Sequence, residues 1–170
     1  GKIAALDKYN VGTILDYSVE GKEEEDDLDR TRDEIIATIH KSRDNDAIPF
    51  AVFKPTGICR TDLLESVNTD ESKLSAAEKS DWDAVLARLD AICSAAFEAN
   101  VPLFIDAEDS WFQDAIDRMV DSMMAKYNKS EAIVFNTIQM YRHDRLEFLK
   151  ESHKKAKELG YILGVKLVRG

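Results

Sequence analysis

Polar side chains recur in this sequence where short apolar runs end. Asp106 closes PLFIDA (102–107), Lys54 interrupts PFAVFKP (49–55), and Glu20 follows GTILDYSV (12–19). Gln139 follows AIVFNTI (132–138), and Lys166 sits inside ILGVKLV (162–168) ahead of Arg169. Carboxylates, ammonium groups and an amide gathered in one place can bind an anionic substrate, hold a proton and stabilise charge that develops in a reaction. A lysine directed into a protein interior needs an anion close by, and Asp106, one run along, is the expected partner of Lys54. Asp106 reads equally as a turn former or helix cap. Gln139 reads also as the side chain that satisfies a strand-end backbone group. Spacing alone leaves both alternatives open.

Other polar clusters carry less chemistry. EEEDD (23–27) reads as a solvated helix start, favoured beside the positive end of the helix dipole. His40, His143 and His153 share no metal-binding spacing and are expected on helix surfaces, so no metal site is expected. Met119, Met123 and Met124 read as core, and KESHKKAKE (150–158) as a mixed-charge outer helix face. Cys59 and Cys93 stand far apart without CxxC spacing, which suits a reducing compartment and no disulfide framework. A net charge of −10 argues against nucleic acid or an anionic membrane as the main partner. No apolar run reaches the length of a transmembrane segment, and no targeting segment is legible at the N-terminus. The chain reads as an intracellular protein, and its 170 residues suit one domain.

The elements that must position these residues alternate. The five apolar runs are short and rich in β-branched and aromatic residues, as strands are. Between them lie helical stripes: Leu28, Ile35, Ile36 and Ile39; Trp82, Val85, Leu86, Leu89, Ile92, Cys93 and Phe97; Phe112, Ile116, Met119, Val120, Met123 and Tyr127; and Leu146, Leu149, Ala156 and Leu159. Ser75 and Glu78 have capping-box spacing with Leu74 as staple, and Gly160 is a stop signal. Strands alternating with helices imply right-handed crossovers and a parallel sheet, in an open doubly wound form or as part of a barrel. Neither GxGxxG nor GxxxxGK[ST] occurs, so the phosphate fingerprints of open nucleotide-binding sheets are missing. Polar residues at successive strand ends favour a (β/α)8 TIM barrel, whose strand ends converge on one face. A barrel takes about 250 residues. The expected fold is therefore α/β: a partial barrel of five parallel strands, truncated after strand five.

LDYSVEG (15–21), FKPTG (53–57), FIDAEDSWFQDAI (104–116), IVFNTIQMY (133–141) and GVKLVRG (164–170) together resemble the successive strand-end motifs of the proline dehydrogenase family, over nearly the whole chain. The resemblance implies the N-terminal part of an FAD-dependent catalytic barrel. That enzyme oxidises L-proline to Δ1-pyrroline-5-carboxylate by hydride transfer to flavin N5 and passes electrons to a quinone. It implies catalytic roles for Asp106, Lys166 and Lys54, with Lys54 binding the substrate carboxylate. Glu20 resembles the acid that closes the active site against a late arginine. Cofactor contacts are implied for Ala107, Gln139, Lys166, Val168, Arg169 and Gly170, with Gln139 on the flavin pyrimidine. FKPTG departs from the family, which more often has leucine after the lysine.

Strands six to eight and the arginine pair that clamps the substrate are expected to be missing. The chain alone is then expected to be inactive and to lose FAD. An alternative of another class is a non-catalytic half-barrel module that self-associates through its open edges; hydroxyproline dehydrogenase is a further one. The expected location is cytoplasmic, at the inner membrane face in a bacterium, or mitochondrial in a eukaryote. The electron acceptor and a fused aldehyde dehydrogenase domain are not legible.

Overall fold

A computed structural model describes residues 1–16 and 23–170. Five strands form one sheet: β1 (Leu15–Asp16), β2 (Ala51–Phe53), β3 (Leu103–Ile105), β4 (Val134–Gln139) and β5 (Val165–Val168). All neighbours run parallel, and the order across the sheet is the order along the chain. That order is the barrel arrangement; a doubly wound sheet would reverse direction after its first strands. Six helices accompany the strands: α1 (Lys2–Asp7), α2 (Glu25–Ser42), α3 (Thr61–Asp70), α4 (Ala76–Ala99), α5 (Gln113–Tyr127) and α6 (Arg145–Leu159).

Each strand falls on its expected apolar run, although β4 extends one residue past it to Gln139 and positions 17–19 of the first run lie outside the described residues; α1 and α3 are additional to the four expected helices. The start of α4 follows the sequence signal: Ser75 Oγ accepts from the Glu78 N–H at 3.2 Å, and Glu78 Oε2 accepts from the Ser75 N–H at 2.9 Å. Leu74 packs beside this cap against the core. Gly160 ends α6 with φ +70°, a conformation that costs glycine nothing. Asn100 ends α4 in the same left-handed region.

Strand alternation sorts the sheet into two faces. Ala51, Phe53, Leu103, Ile105 and Val134 turn outward and are buried under the helices with Leu89, Ile92, Ile116 and Val120. The inner face carries Phe50, Phe104 and Phe135. Phe50 stacks on Phe104 with centroids 4.3 Å apart, and Phe135 meets Phe104 edge-on at 5.4 Å. This aromatic floor lies below the polar strand ends. Gly164, just before β5, lets the chain pass tightly over β4: a Cβ there would sit 2.5 Å from the Val134 carbonyl oxygen and 3.1 Å from the Phe135 ring.

Four expectations need correction. The acidic start of α2 is not simply solvated, because Glu25 and Asp29 both accept from Arg88 of α4, which is buried. Burying a guanidinium requires such partners. Phe97 is exposed, with its ring 5.6 Å from that of Tyr127. The buried stripe of α6 is Arg145, Ser152 and Ala156, leaving Leu146 and Leu159 on the surface. His40 and His153 are exposed on α2 and α6, whereas His143 lies in the turn before α6.

Candidate active site at the strand ends

The C-terminal ends of β3, β4 and β5 bring three of the expected site residues together. Thr137 on β4 is in register with Lys166 on β5, so both side chains share the inner face. From there the Lys166 ammonium reaches past β4 and donates to Asp106 Oδ1, at the end of β3. It also lies 5.3 Å from the centroid of the Phe104 ring, over whose negative face a cation is favoured. The aliphatic part of Lys166 thus rests on the aromatic floor while its charge stays in the polar layer above.

The structure removes the helix-cap reading of Asp106. Helix α5 does not begin until Gln113, its N-cap position is Phe112, and no side chain caps it. The Asp106 carboxylate faces Lys166 instead, and its backbone N–H continues the ladder to Phe53 O at 3.0 Å. The cation expected to meet Asp106 was Lys54; the structure supplies Lys166. Lys54 is partly buried at the end of β2, where it opens the short helical turn Pro55–Gly57.

Gln139 satisfies a strand-end backbone group, as one of its two expected readings has it. Its Nε2 donates to the Glu108 carbonyl at 2.9 Å, closing a strand-end backbone group. Its Oε1 is buried and has no hydrogen-bond partner among the described residues. Ala107 is half-buried beside Asp106, and Val168 half-buried at the end of β5, while Arg169 and Gly170 are exposed beyond it. Glu20 lies outside the described residues.

Sequence reasoning missed the frame behind this rim. Glu108 accepts from the Thr56 N–H at 2.8 Å and from Thr56 Oγ1 at 2.7 Å, tying the end of β3 to the turn after β2. Its own N–H donates to Gln113 Oε1 at 2.7 Å, and Gln113 Nε2 donates to Asp117 at 3.0 Å. Asp117 also accepts from Asn136 of β4 at 2.9 Å and from Arg145 of α6 at 2.8 Å. Burial pushes the Asp117 carboxyl up, against the hydrogen bonds from Asn136, Gln113 and Arg145 that favour its anion. The signals were present: Asn136 interrupts an apolar strand, and Gln113 and Asp117 lie four apart on the apolar face of α5.

A sequentially ordered parallel sheet with outer helices and a charged, amide-bearing layer at its strand ends is the arrangement of a (β/α)-barrel. The comparison with protein families makes this specific. The chain belongs to the proline dehydrogenase family, whose model matches residues 1–170.

Among relatives, it is 31% identical over 165 residues to the carbapenem antibiotics biosynthesis protein CarD of Pectobacterium carotovorum, covering 97% of this chain and 44% of that protein. It is 28% identical to the mitochondrial proline dehydrogenase 1 of Dictyostelium discoideum, covering 97% of this chain and 36% of that one. The chain therefore spans less than half the length of these relatives. Its fold matches proline utilization A from Bdellovibrio bacteriovorus, inactivated by N-propargylglycine, with a TM-score of 0.78 at 14% identity, covering 99% of this chain and 18% of that one. The match to proline utilization A from Corynebacterium freiburgense has a TM-score of 0.75 at 12% identity, over 99% of this chain and 17% of that one. No described helix is long and apolar enough to cross a membrane.

Proposed function

We propose that this chain is the N-terminal portion of the catalytic barrel of an FAD-dependent proline dehydrogenase, which oxidises L-proline to Δ1-pyrroline-5-carboxylate. One observation carries the reading: Lys166 and Asp106 pair at the strand ends next to Gln139, whose Oε1 is buried without a partner among the described residues. A flavin fits that donor set. Its pyrimidine ring offers an imide N–H to an acceptor such as Gln139 Oε1, and its reduced form is stabilised by a nearby cation such as Lys166. When bound, FAD would supply the acceptor for the hydride leaving proline, and a quinone would then take the electrons.

The chain's own residues would prepare that step. Lys54 at the end of β2 would attract the substrate carboxylate, and Glu20 would serve the substrate side. Asp106 holds the Lys166 ammonium in place, and the pair keeps the rim close to neutral. That balance matters because hydride can leave only from proline whose amine is unprotonated. Ala107, Val168, Arg169 and Gly170 would line the cofactor along the same rim.

The test is a visible spectrum of the purified chain incubated with FAD and desalted, before and after anaerobic proline, beside the full-length natural chain. Bleaching of the flavin band by proline in the full-length chain, and none in this chain alone, is expected. A full-length chain whose bound flavin proline leaves oxidised would overturn the function. Turnover by this chain alone would overturn its reading as an incomplete barrel.

A second reading, a self-associating half-barrel, draws on a separate observation. The described sheet ends at β5, and Leu167 on its outer face and the nearby Ile162 are exposed. Unpaired parallel edges with apolar flanks tend to pair with another chain. Light scattering at high concentration decides it: a monodisperse monomer removes this reading.

A further inference from the structure

We propose that Glu108 is a positioning residue that sets which way the Gln139 amide faces, and so fixes the hydrogen-bonding character that the rim presents to a flavin. The inference rests on the cofactor reading above. Glu108 stands two residues past Asp106. Its carboxylate is held at two points by Thr56, at 2.8 Å from the backbone N–H and 2.7 Å from Oγ1. Its backbone N–H is held by Gln113 Oε1 at 2.7 Å. The anchors hold Glu108 on both its side chain and its N–H, and the carbonyl on the same residue accepts from Gln139 Nε2 at 2.9 Å.

A carbonyl oxygen can only accept. The atom of Gln139 that faces Glu108 must then be the NH2 group, and Oε1 must point the other way. There it is buried with no partner among the described residues. A buried acceptor without a donor is costly, and such an arrangement persists where a bound ligand supplies the donor. The flavin pyrimidine offers one N–H, at N3, between two carbonyls. Oε1 in that place selects the N–H, whereas an NH2 group there would select a carbonyl. With Glu108 removed, the amide is free to turn over and this preference is lost.

Two measurements on the full-length natural chain test this, each on the wild type and on Glu108→Ala, Glu108→Gln and Thr56→Val. The first is hydrogen exchange of the Gln139 side-chain amide by NMR, without ligand. The second is the ratio of dissociation constants for FAD and its N3-methyl analogue, which cannot donate from N3. Glu108→Ala should speed the Gln139 exchange about tenfold, the factor one hydrogen bond of typical net strength supplies. It should also bring the dissociation ratio from about tenfold towards one. Glu108→Gln, which keeps one acceptor for Thr56, should recover part of both effects. A merely structural Glu108 would weaken both flavins alike and leave their ratio unchanged, which overturns the proposal. Unchanged Gln139 exchange overturns it as well. Failure of the wild-type chain to bind either flavin removes the cofactor reading, and the exchange measurement then decides whether Glu108 orients Gln139. Should Glu108→Ala fail to fold, Thr56→Val carries the same two comparisons.

Discussion

Lys166 on β5 and Asp106 at the end of β3 are joined over the top of β4, so one ion pair links two strands that are not neighbours in the sheet. Their side chains are 27% and 20% exposed, so solvent screens the pair only in part. Lys166→Met should destabilise the chain by about 1–3 kcal/mol, because it leaves a partly buried carboxylate without its charged donor. Adding Asp106→Asn should restore part of that loss. A double-mutant cycle by urea unfolding checks this. A coupling energy near zero would mean the pair does not hold the rim together.

Arg145 and Asp117 form the innermost charged contact, with both side chains almost fully buried. Arg145→Ala should cost about 3–5 kcal/mol by stranding the Asp117 carboxylate in the interior. Replacing Lys150 on the exposed side of the same helix should cost about 0–1 kcal/mol, since its pair with Glu147 is in water. Thermal denaturation of the two variants side by side separates these outcomes. Equal shifts would show that burial of the Arg145 network contributes nothing beyond a surface pair.

Asp144, just ahead of α6, gives a pH signature. Hydrogen bonds from Arg145 and then Arg142 hold its carboxyl down from its ordinary 3.8 to about 2. In the unfolded chain the group returns to its ordinary value, so its contribution is complete above pH 3.8 and is lost as pH falls towards 2. Asp144→Asn should therefore lower the urea midpoint at neutral pH and flatten its decline across that acid window. An unchanged slope there would assign the acid sensitivity to other carboxylates.

Gly164→Ala should destabilise by about 1–3 kcal/mol through overpacking, because the obstacle to a Cβ is the Val134 carbonyl, which belongs to the β4 backbone. The strain would fall at the β4–β5 junction, where the Gly164 carbonyl accepts from the Asn136 N–H at 3.0 Å. Urea unfolding measures the cost, and wild-type stability in the variant would show that the junction can open without loss.

The strand set was legible because each run is short, apolar and closed by a polar residue, and a parallel strand covered on both faces must look so. The paired neighbours of the rim were less legible. Lys54 and Lys166 are both expected at strand ends, but which of them meets Asp106 depends on how far a flexible side chain reaches across β4, and spacing along the chain does not encode that. Phe97, Leu146 and Leu159 failed for a related reason: apolar periodicity marks a face but not whether another element covers it. Glu108 escaped notice because its role depends on Thr56, 52 residues away. The capping box of α4, by contrast, is closed within four residues and was readable in full.

The sequential strand order also bears on how the chain acquires its shape. Among the described strands, each one after β1 pairs with the one made just before it. Growth can proceed one strand and one helix at a time from the N-terminal end, which keeps loop-closure costs low for a parallel sheet. Each newly formed edge is the template for the next strand. The ion pair between Asp106 and Lys166 is then among the last contacts to form, a latch set after the strands it joins are in place.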